Sequence, residues 1–334
     1  WNPPVMDNQA QQPKTASFRF QEDMGTRVAA WPGGGILTMG RTTSLLSGNI
    51  RTWTGTRTIF AGNGSLAMRS NFVGGVSTDS FSYPSRGLSA YIPPGLFSTA
   101  LTFSLDYNST DSLHYLFTPF TANGLPATDL KFPVRTLIDP NWSGDCCYDP
   151  PARVGGDEQG NTYMLMGSRY TPTGSYDFLI GRLNNASMLT VFAYDGSAHG
   201  MDVADSIAVS TGGTLFVLAK TSETGTGLQS RLFAYAPGFS LQWRADLNWS
   251  GKQMMDATLA LDPNGFLWVT EATTGRMLLY DFNGVLIKED MLKFPNLKDA
   301  YYIGHTLADA QGNLYMSGSD NAAAWLGKYS VKTV

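Results

Sequence analysis

Residues that could bind a ligand or carry out chemistry concentrate in four segments of the second half of the sequence. The segments span residues 139–149, 194–205, 246–256 and 289–305, and the first and third share the pattern Asn-Trp-Ser-Gly. Together they hold both cysteines and two of the three histidines. Their candidate ligand-face residues are Cys146, Cys147, Tyr148, Met254, Met255, Tyr301 and Tyr302. If the segments occupy equivalent places in the fold, we expect these side chains to share one face.

The candidate catalytic residues are His199, Asp202 and His305. Imidazole nitrogens and carboxylate oxygens can act as acid–base groups or as metal ligands, so these side chains would form such a site if their segments converge. Ca²⁺ or another divalent ion is the cofactor that this cluster would hold. The alternative is structural, because an Asp that precedes a strand commonly caps a turn through backbone N–H groups. The sequence contains no HExxH, GxSxG or EF-hand loop that would favour the catalytic interpretation.

The adjacent cysteines Cys146 and Cys147 can close an eight-membered disulfide ring. Such a ring stiffens the chain locally and cannot join distant segments, so it stabilises the fold little through loop closure. A metal site formed by both thiols is disfavoured, because neighbouring side chains of an extended strand point to opposite faces. We predict a vicinal disulfide that shapes a ligand surface or fixes a loop, with two free thiols as the alternative.

Composition excludes several function classes. The 334 residues carry 23 basic and 27 acidic side chains, and charged residues make up 15% of the chain, below the roughly 25% that is usual for soluble domains. No basic cluster is large enough to follow a phosphate backbone. No apolar run approaches the roughly 18 residues that a membrane helix needs. We therefore expect neither a nucleic-acid partner nor a membrane span.

Glycosylation signals favour an extracellular protein. Five Asn-x-Ser/Thr sequons begin at Asn63, Asn108, Asn141, Asn185 and Asn248. Such sequons are glycosylated on surface loops of secreted proteins. The sequence begins at Trp1, as a processed N-terminus would. We predict a secreted glycoprotein.

An internal repeat predicts the elements that position these residues. Units at 153–194, 205–246, 256–289 and 305–329 each read as strand, glycine turn, strand, loop, strand, and the first three add a short turn and a fourth strand. Their turn glycines are Gly160, Gly213, Gly265 and Gly312. Such turns need the positive φ that glycine adopts cheaply. A four-stranded repeat of roughly 40–50 residues is typical of a β-propeller blade.

The units resemble NHL-type β-propeller repeats, in which a strand ending in Asp precedes an Asn-Gly turn and an apolar strand. Residues 259–269 (Leu-Ala-Leu-Asp-Pro-Asn-Gly-Phe-Leu-Trp-Val) match this pattern best, and 308–316 are next. The resemblance is strongest over residues 153–330. It implies an architecture rather than an activity, because similar repeats occur in lactonases, lyases, lectin-like proteins and scaffolds.

The sequence therefore predicts an all-β protein with one β-propeller of four-stranded blades over residues 15–334, preceded by an extended N-terminal arm over 1–14. Residues 25–150 have room for three blades of about 42 residues, which predicts seven blades in all, with six as the alternative. Residues 15–20 are predicted to close the ring as the outer strand of the last blade, which would remove an exposed sheet edge. The alternative is that they begin a conventional first blade.

The functional hypothesis from sequence is a non-catalytic extracellular binding or assembly module, comparable to a filament or surface-layer subunit. Its partners would be further copies of the chain, reached through the N-terminal arm, or another extracellular protein or glycan. One alternative is a metal-dependent lactonase- or hydrolase-like enzyme with its metal near His199, Asp202 and His305. Glu158, Glu271 and Glu289 fall in predicted strands or turns, which counts against this class. The other alternative is a lectin that uses Trp142 and Trp249.

Overall fold

The computed structural model shows an all-β chain in two compact units, residues 21–133 forming the strands of the first and residues 154–329 those of the second. The residues described are 21–31, 35–47, 50–61, 63, 65–77, 89–91, 101–108, 112–119, 130–133, 154–170, 176–184, 188–223, 227–247, 257–262, 264–292, 301–308, 312–320 and 324–329. Among them no helix has the length and hydropathy needed to cross a membrane.

The first unit contains two four-stranded antiparallel sheets, each in the order of the chain. Sheet 1 consists of β1 (Gln21–Trp31), β2 (Gly35–Ser47), β3 (Ile50–Phe60) and β4 (Leu66–Ser77). Sheet 2 consists of β5 (Ser89–Tyr91), β6 (Leu101–Asn108), β7 (Ser112–Pro119) and β8 (Leu130–Pro133).

The second unit contains four antiparallel sheets that follow the predicted repeat. Sheet 3 consists of β9 (Val154–Gly156), β10 (Thr162–Tyr170), β11 (Tyr176–Leu183) and β12 (Leu189–Tyr194). Sheet 4 consists of β13 (Val203–Val209), β14 (Leu215–Ser222), β15 (Leu228–Tyr235) and β16 (Leu241–Asp246). Sheet 5 consists of β17 (Ala257–Asp262), β18 (Phe266–Glu271), β19 (Arg276–Asp281) and β20 (Leu286–Met291). Sheet 6 has three described strands, β21 (Tyr301–Ala308), β22 (Leu314–Asp320) and β23 (Ala324–Tyr329).

Seven blades are not supported. The described residues form six sheets, four of them in the second unit. Three blades are expected over residues 25–150, but the described residues there form two sheets. The strands β1–β4 are 11 to 13 residues long, so sheet 1 alone occupies residues 21–77. Closure of the ring by residues 15–20 and the arm over 1–14 lie outside the described residues and stay predictions.

The core of the second unit consists of apolar side chains that alternate between the two faces of each strand. Successive side chains of a strand face opposite sides of the sheet. Leu215 and Val217 of β14 pack in a buried cluster with Phe178 of sheet 3, whereas Phe216 and Leu218 pack in a second cluster with residues of sheet 5. A third cluster joins sheets 5 and 6 around Trp268. Sheets 4 and 5 are therefore each covered on both faces by their neighbours, as blades are.

The four predicted turn glycines are confirmed. Gly160, Gly213, Gly265 and Gly312 all have positive φ, between 77° and 91°. An Asp caps two of these turns: Oδ1 of Asp157 accepts the N–H of Asn161 at 2.9 Å, and Oδ1 of Asp262 accepts the N–H of Asn264 at 2.7 Å. The local sequence therefore fixes the β9–β10 and β17–β18 hairpins.

Gly265→Ala tests the backbone requirement at such a turn. Gly265 has φ of 91°, and a Cβ placed there meets no atom within 4 Å, so the cost is conformational. We expect a loss of about 1–2 kcal/mol in the free energy of unfolding, measured by urea denaturation. Gly238→Ala is the matched control, because its Cβ also meets nothing within 4 Å and its φ is not positive. An equal loss in both variants would contradict this account.

Candidate functional site

The strand ends of sheets 3 and 4 meet at one edge of the second unit. In an antiparallel four-stranded sheet, the first and third strands begin at the edge where the second and fourth end. Residues 195–202 connect the end of β12 to the start of β13 there. We call this edge, with residues 176–177, 194–203, 222–223, 230–231 and 246–247, the connection edge.

Three carboxylates converge at the connection edge. One oxygen each from Asp177, Asp195 and Asp202 lies within 4.8 Å of the others. Asp177 and Asp202 are buried, and Asp195 is exposed. Calcium–oxygen bonds are about 2.3–2.6 Å long, so two oxygens bound to one ion lie at most about 5 Å apart. One ion can therefore contact all three residues.

Asp202 also holds the connection in place. Its Oδ2 accepts the N–H of Gly196 at 2.7 Å, and its Oδ1 accepts the N–H of Ser222 at 2.9 Å. The contact is tight, because a Cβ on Gly196 would lie 2.9 Å from the carbonyl oxygen of Ser222. These two hydrogen bonds tie Asp202 to the backbone on both sides and fix its carboxylate beside Asp177 and Asp195.

Burial raises the pKa of Asp202 to about 6, against the lowering effect of its hydrogen bonds from Gly196 and Ser222. The charges of Asp177 and Asp195 raise it further. Ionised carboxylates that lie close together in a buried site repel one another, which costs free energy unless a cation neutralises them. The site therefore favours either a proton or a cation near neutral pH.

The pKa of Asp202 predicts a pH-dependent stability of the cation-free protein. The folded state holds this proton more tightly than the unfolded chain, whose Asp has its ordinary pKa of 3.8. This contribution is therefore full at low pH and is lost as pH rises from about 4 to about 6, by at most about 1.4 kcal/mol per pH unit.

The difference between wild type and Asp202→Asn in urea denaturation isolates this effect, because the variant cannot ionise at that position. We expect the difference to change across this pH window in chelator-treated protein. A constant difference from pH 4 to 7 would contradict the assigned pKa.

His199 lies at the rim of the carboxylate group. Its Nδ1 is 2.8 Å from Oδ2 of Asp195, and its side chain is 71% exposed. Its φ of 47° is left-handed, which costs a non-glycine residue about 1–2 kcal/mol. Asp195 orients the ring and leaves Nε2 to contact water or a substrate.

Glu223 forms a separate charged network at the same edge. Its Oε1 accepts a hydrogen bond from the hydroxyl of Tyr194, and its Oε2 accepts one from Nη1 of Arg244 at 2.8 Å. Burial alone would raise the pKa of Glu223, but these two hydrogen bonds and the charges of Arg244 and Arg231 together outweigh it and lower the pKa. Glu223 is therefore a fixed negative charge that Arg244 neutralises.

The buried hydroxyl of Tyr235 has no hydrogen-bond partner, and the residue is 2% exposed. Burial raises its pKa, and neighbouring Tyr194, Glu223 and Asp202 raise it further. Tyr235 is the last residue of β15 and pairs with Leu215, at the end of sheet 4 opposite the connection edge.

Comparison of equivalent positions shows that sheets 4 and 5 do not have the carboxylates of Asp177 and Asp202. The N–H groups of Asp202, Leu247 and Leu292 donate to the carbonyls of residues 176, 230 and 275 at 2.6, 2.9 and 2.9 Å, which makes these positions equivalent in sheets 3, 4 and 5. Sheets 4 and 5 have a buried leucine there, and sheet 3 has Asp202. The residue after each carbonyl acceptor is Arg231 or Arg276 in sheets 4 and 5, and Asp177 in sheet 3. Sheet 3 therefore has two buried Asp residues at positions where sheets 4 and 5 have Arg and Leu.

The structure unites only part of the predicted site. His199 and Asp202 lie in one connection, whereas His305 lies within β21 of sheet 6 and is not among the three clustered acids. Tyr301 and Tyr302 begin β21. Cys146, Cys147, Tyr148, Met254 and Met255 lie outside the described residues, so their disulfide and ligand roles stay predictions.

Some of the other residues singled out from the sequence lie in the described part of the chain, and some lie outside it. Glu158, Glu271 and Glu289 lie in a turn or in strands, as expected. Asn63 is exposed in the turn between β3 and β4, where its side chain accepts the N–H of Ser65 at 3.0 Å. Asn108 ends β6, and Asn141, Asn185, Asn248, Trp142 and Trp249 lie outside the described residues.

Sequence reasoning missed Asp177, Asp195 and Glu223. Asp177 is the second residue of β11, Asp195 follows β12, and Glu223 follows β14. An alignment of the repeats could have indicated Asp177, because it is an Asp at a position where the next two repeats have Arg231 and Arg276.

Comparison with known proteins identifies the class of fold. No family model matches the sequence, and no curated protein matches it. Among solved structures, a glucose dehydrogenase is 12% identical with a TM-score of 0.53, over 93% of this chain and 98% of that one. The Pyrococcus horikoshii acylaminoacyl peptidase is 8% identical with a TM-score of 0.52, over 92% of this chain and 44% of that one.

A catalytically inactive virginiamycin B lyase from Staphylococcus aureus, solved with quinupristin, is 9% identical with a TM-score of 0.50, over 92% of this chain and 98% of that one. Together with the four-stranded sheets, these similarities show an all-β propeller. They show the fold alone, and they give no support to the NHL type in particular.

Proposed function

We propose that this β-propeller binds a divalent cation between Asp177, Asp195 and Asp202 and uses it in a hydrolase-class reaction on an ester or lactone. The observation that carries the proposal is the approach of the three carboxylates to within 4.8 Å, two of them buried.

The donor set indicates which cation fits. All three ligands are carboxylates, which suit Ca²⁺, Mg²⁺ or Mn²⁺. Ca²⁺ takes six to eight oxygen ligands, so three protein oxygens leave positions for water and for a substrate carbonyl. This is an open site of the kind that catalysis needs.

The chain supplies two further groups for hydrolysis. A bound divalent cation polarises a carbonyl oxygen and lowers the pKa of a bound water. His199, oriented by Asp195, is placed at the rim to accept a proton from attacking water. We assign His199 the role of general base and Asp202 the role of a fixed cation ligand.

Two measurements test this function. Isothermal titration of chelator-treated protein with CaCl₂ and MnCl₂ should show one site per chain. Hydrolysis of simple lactones and p-nitrophenyl esters, followed by pH-stat and absorbance, should depend on the added cation and be lost with a chelator. Cation binding without hydrolysis would reject the reaction and keep the site, and absence of binding would reject both.

The predicted secreted assembly module is a second proposal. The start of β20 favours it, because Leu286 and Ile287 on this outer strand and Val285 just before it are exposed. Secretion, glycosylation at the sequons and a disulfide at Cys146–Cys147 belong to this proposal. Intact-mass measurement of the natively purified protein tests them, since glycans add mass and the disulfide removes two hydrogens.

A further inference from the structure

The connection between sheets 3 and 4 supplies two of the three proposed cation ligands. It spans residues 195–202, outside the strands, and Asp195 and Asp202 are its first and last residues. Five of its eight residues are exposed. Fixing such a segment costs conformational entropy, so a constant spacing of the two carboxylates depends on contacts that hold both of its ends.

The end of β14 holds the last residue of the connection. The N–H of Ser222 donates to Oδ1 of Asp202 at 2.9 Å. The backbone of the connection also packs directly on Ser222, since a Cβ on Gly200 would lie 2.6 Å from the Cβ of Ser222. The residue that follows Ser222 is Glu223, a buried carboxylate.

Glu223 holds the start of the connection. Its Oε1 accepts a hydrogen bond from the hydroxyl of Tyr194, the residue before Asp195. Its Oε2 accepts a long hydrogen bond from Oγ of Ser197, at 3.5 Å, and one from Nη1 of Arg244 at 2.8 Å. Glu223 is 7% exposed. This carboxylate therefore joins the start of the connection to sheet 4, next to the residue that binds its end.

The tyrosine of this contact accompanies the buried Asp residues in the repeat. Tyr194 pairs with Phe178 of β11. At the equivalent positions of sheets 4 and 5, the paired residues are Ala245 and Asp290. Neither Ala nor an ionised Asp can donate a hydrogen bond from its side chain. Among these three sheets, the hydroxyl that binds Glu223 therefore occurs in the sheet that has the carboxylates.

We propose that Glu223 is a positioning residue for the cation site: it holds the connection against sheet 4, so that Asp195 and Asp202 keep the spacing that one ion needs. This inference rests on the cation site proposed above. Glu223 acts through its neighbours, since it is not one of the three acids whose oxygens lie within 4.8 Å of one another. Loss of a group that orients metal ligands typically weakens metal binding about 10–100-fold.

Tyr194→Phe tests the positioning role without changing the charge of the site. The variant loses the hydroxyl that binds Glu223 and keeps the ring that stacks on Phe178. Substitution of Glu223 itself would also remove a negative charge, so its partners are changed instead. We expect the dissociation constant for Ca²⁺, measured by isothermal titration of chelator-treated protein with CaCl₂, to rise about tenfold.

Tyr329→Phe is the matched control for Tyr194→Phe. The hydroxyl of Tyr329 also donates to a carboxylate, Oδ2 of Asp290, at 2.5 Å. That contact joins sheets 5 and 6, away from the connection between sheets 3 and 4. The control should bind Ca²⁺ as the wild type does.

Arg244→Gln separates position from charge. Removal of a positive charge close to the site would by itself tighten the binding of a cation. Loss of the hydrogen bond that fixes Glu223 should weaken it, and we expect the weaker binding. Arg276→Gln is the matched control, because Arg276 binds Glu289 of sheet 5 through Nε at 2.6 Å. Its Ca²⁺ affinity should equal that of the wild type.

Urea denaturation of the same cation-free variants identifies a purely structural role. A lower free energy of unfolding with unchanged Ca²⁺ affinity in Tyr194→Phe would overturn the positioning role and leave the cation site in place. Tighter Ca²⁺ binding by Arg244→Gln would do the same. A wild type that binds no Ca²⁺ would instead reject the cation site itself, and with it the proposed function.

Discussion

Asp177→Asn is expected to weaken divalent-cation binding by at least about 100-fold, or about 2.8 kcal/mol. The variant removes one of two buried negative charges from a group whose oxygens lie within 4.8 Å. Charge interactions at such distances are worth several kcal/mol in a partly buried site. Asn keeps the shape of the side chain, so the fold should be retained. The affinities of wild type and variant for Ca²⁺ are measured by isothermal titration.

The matched control for this experiment is Asp281→Asn. Asp281 lies in the same unit and caps a turn, with its Oδ1 accepting the N–H groups of Asn283 at 2.9 Å and Val285 at 2.8 Å. Asn keeps one acceptor oxygen there. Cation affinity should be unchanged in this variant. Equal losses in both variants would mean that net charge, rather than the site, attracts the cation.

Phe178→Ala is expected to lower the free energy of unfolding by about 3–5 kcal/mol. Phe178 is fully buried and stacks on Tyr194 with ring centroids 4.8 Å apart. It also contacts Phe233 of sheet 4. Because Asp177 precedes Phe178, and Tyr194 binds Glu223, the cavity should loosen the connection edge as well. Urea denaturation of the cation-free protein measures the loss.

Phe282→Ala provides the comparison for Phe178→Ala. Phe282 is partly exposed at the rim of the cluster between sheets 4 and 5, so fewer buried contacts are lost. A smaller loss is expected, of about 1–2 kcal/mol. If Phe178→Ala cost no more than Phe282→Ala, the account of this core would be wrong.

The architecture of the second unit could be predicted because its signals are local. A glycine turn between alternating apolar residues specifies a hairpin without distant information, and Gly160, Gly213, Gly265 and Gly312 all have positive φ. The number of blades was predicted wrongly for the first unit, where the sequence has no such regular glycine turns. β2 is 13 residues long, and spacing alone divided that region into too many blades.

The candidate site could be predicted only in part because it depends on contacts across connections. His199 and Asp202 were found since they share one segment with a recognisable place in the repeat. Asp177 joins them through a third strand, 25 residues before Asp202 in the chain, and no local pattern indicates that approach. His305 lies in β21 of sheet 6, because an equivalent repeat position lies at an equivalent place in another sheet, not at the same place.

The central claim is that one cation binds between Asp177, Asp195 and Asp202. Its most direct test is a crystal structure of the protein grown with CaCl₂. The account predicts an ion with an oxygen of each of the three carboxylates at about 2.3–2.6 Å, and water on its open side. Well-ordered carboxylates with only water between them at saturating Ca²⁺, or an ion bound elsewhere, would contradict it.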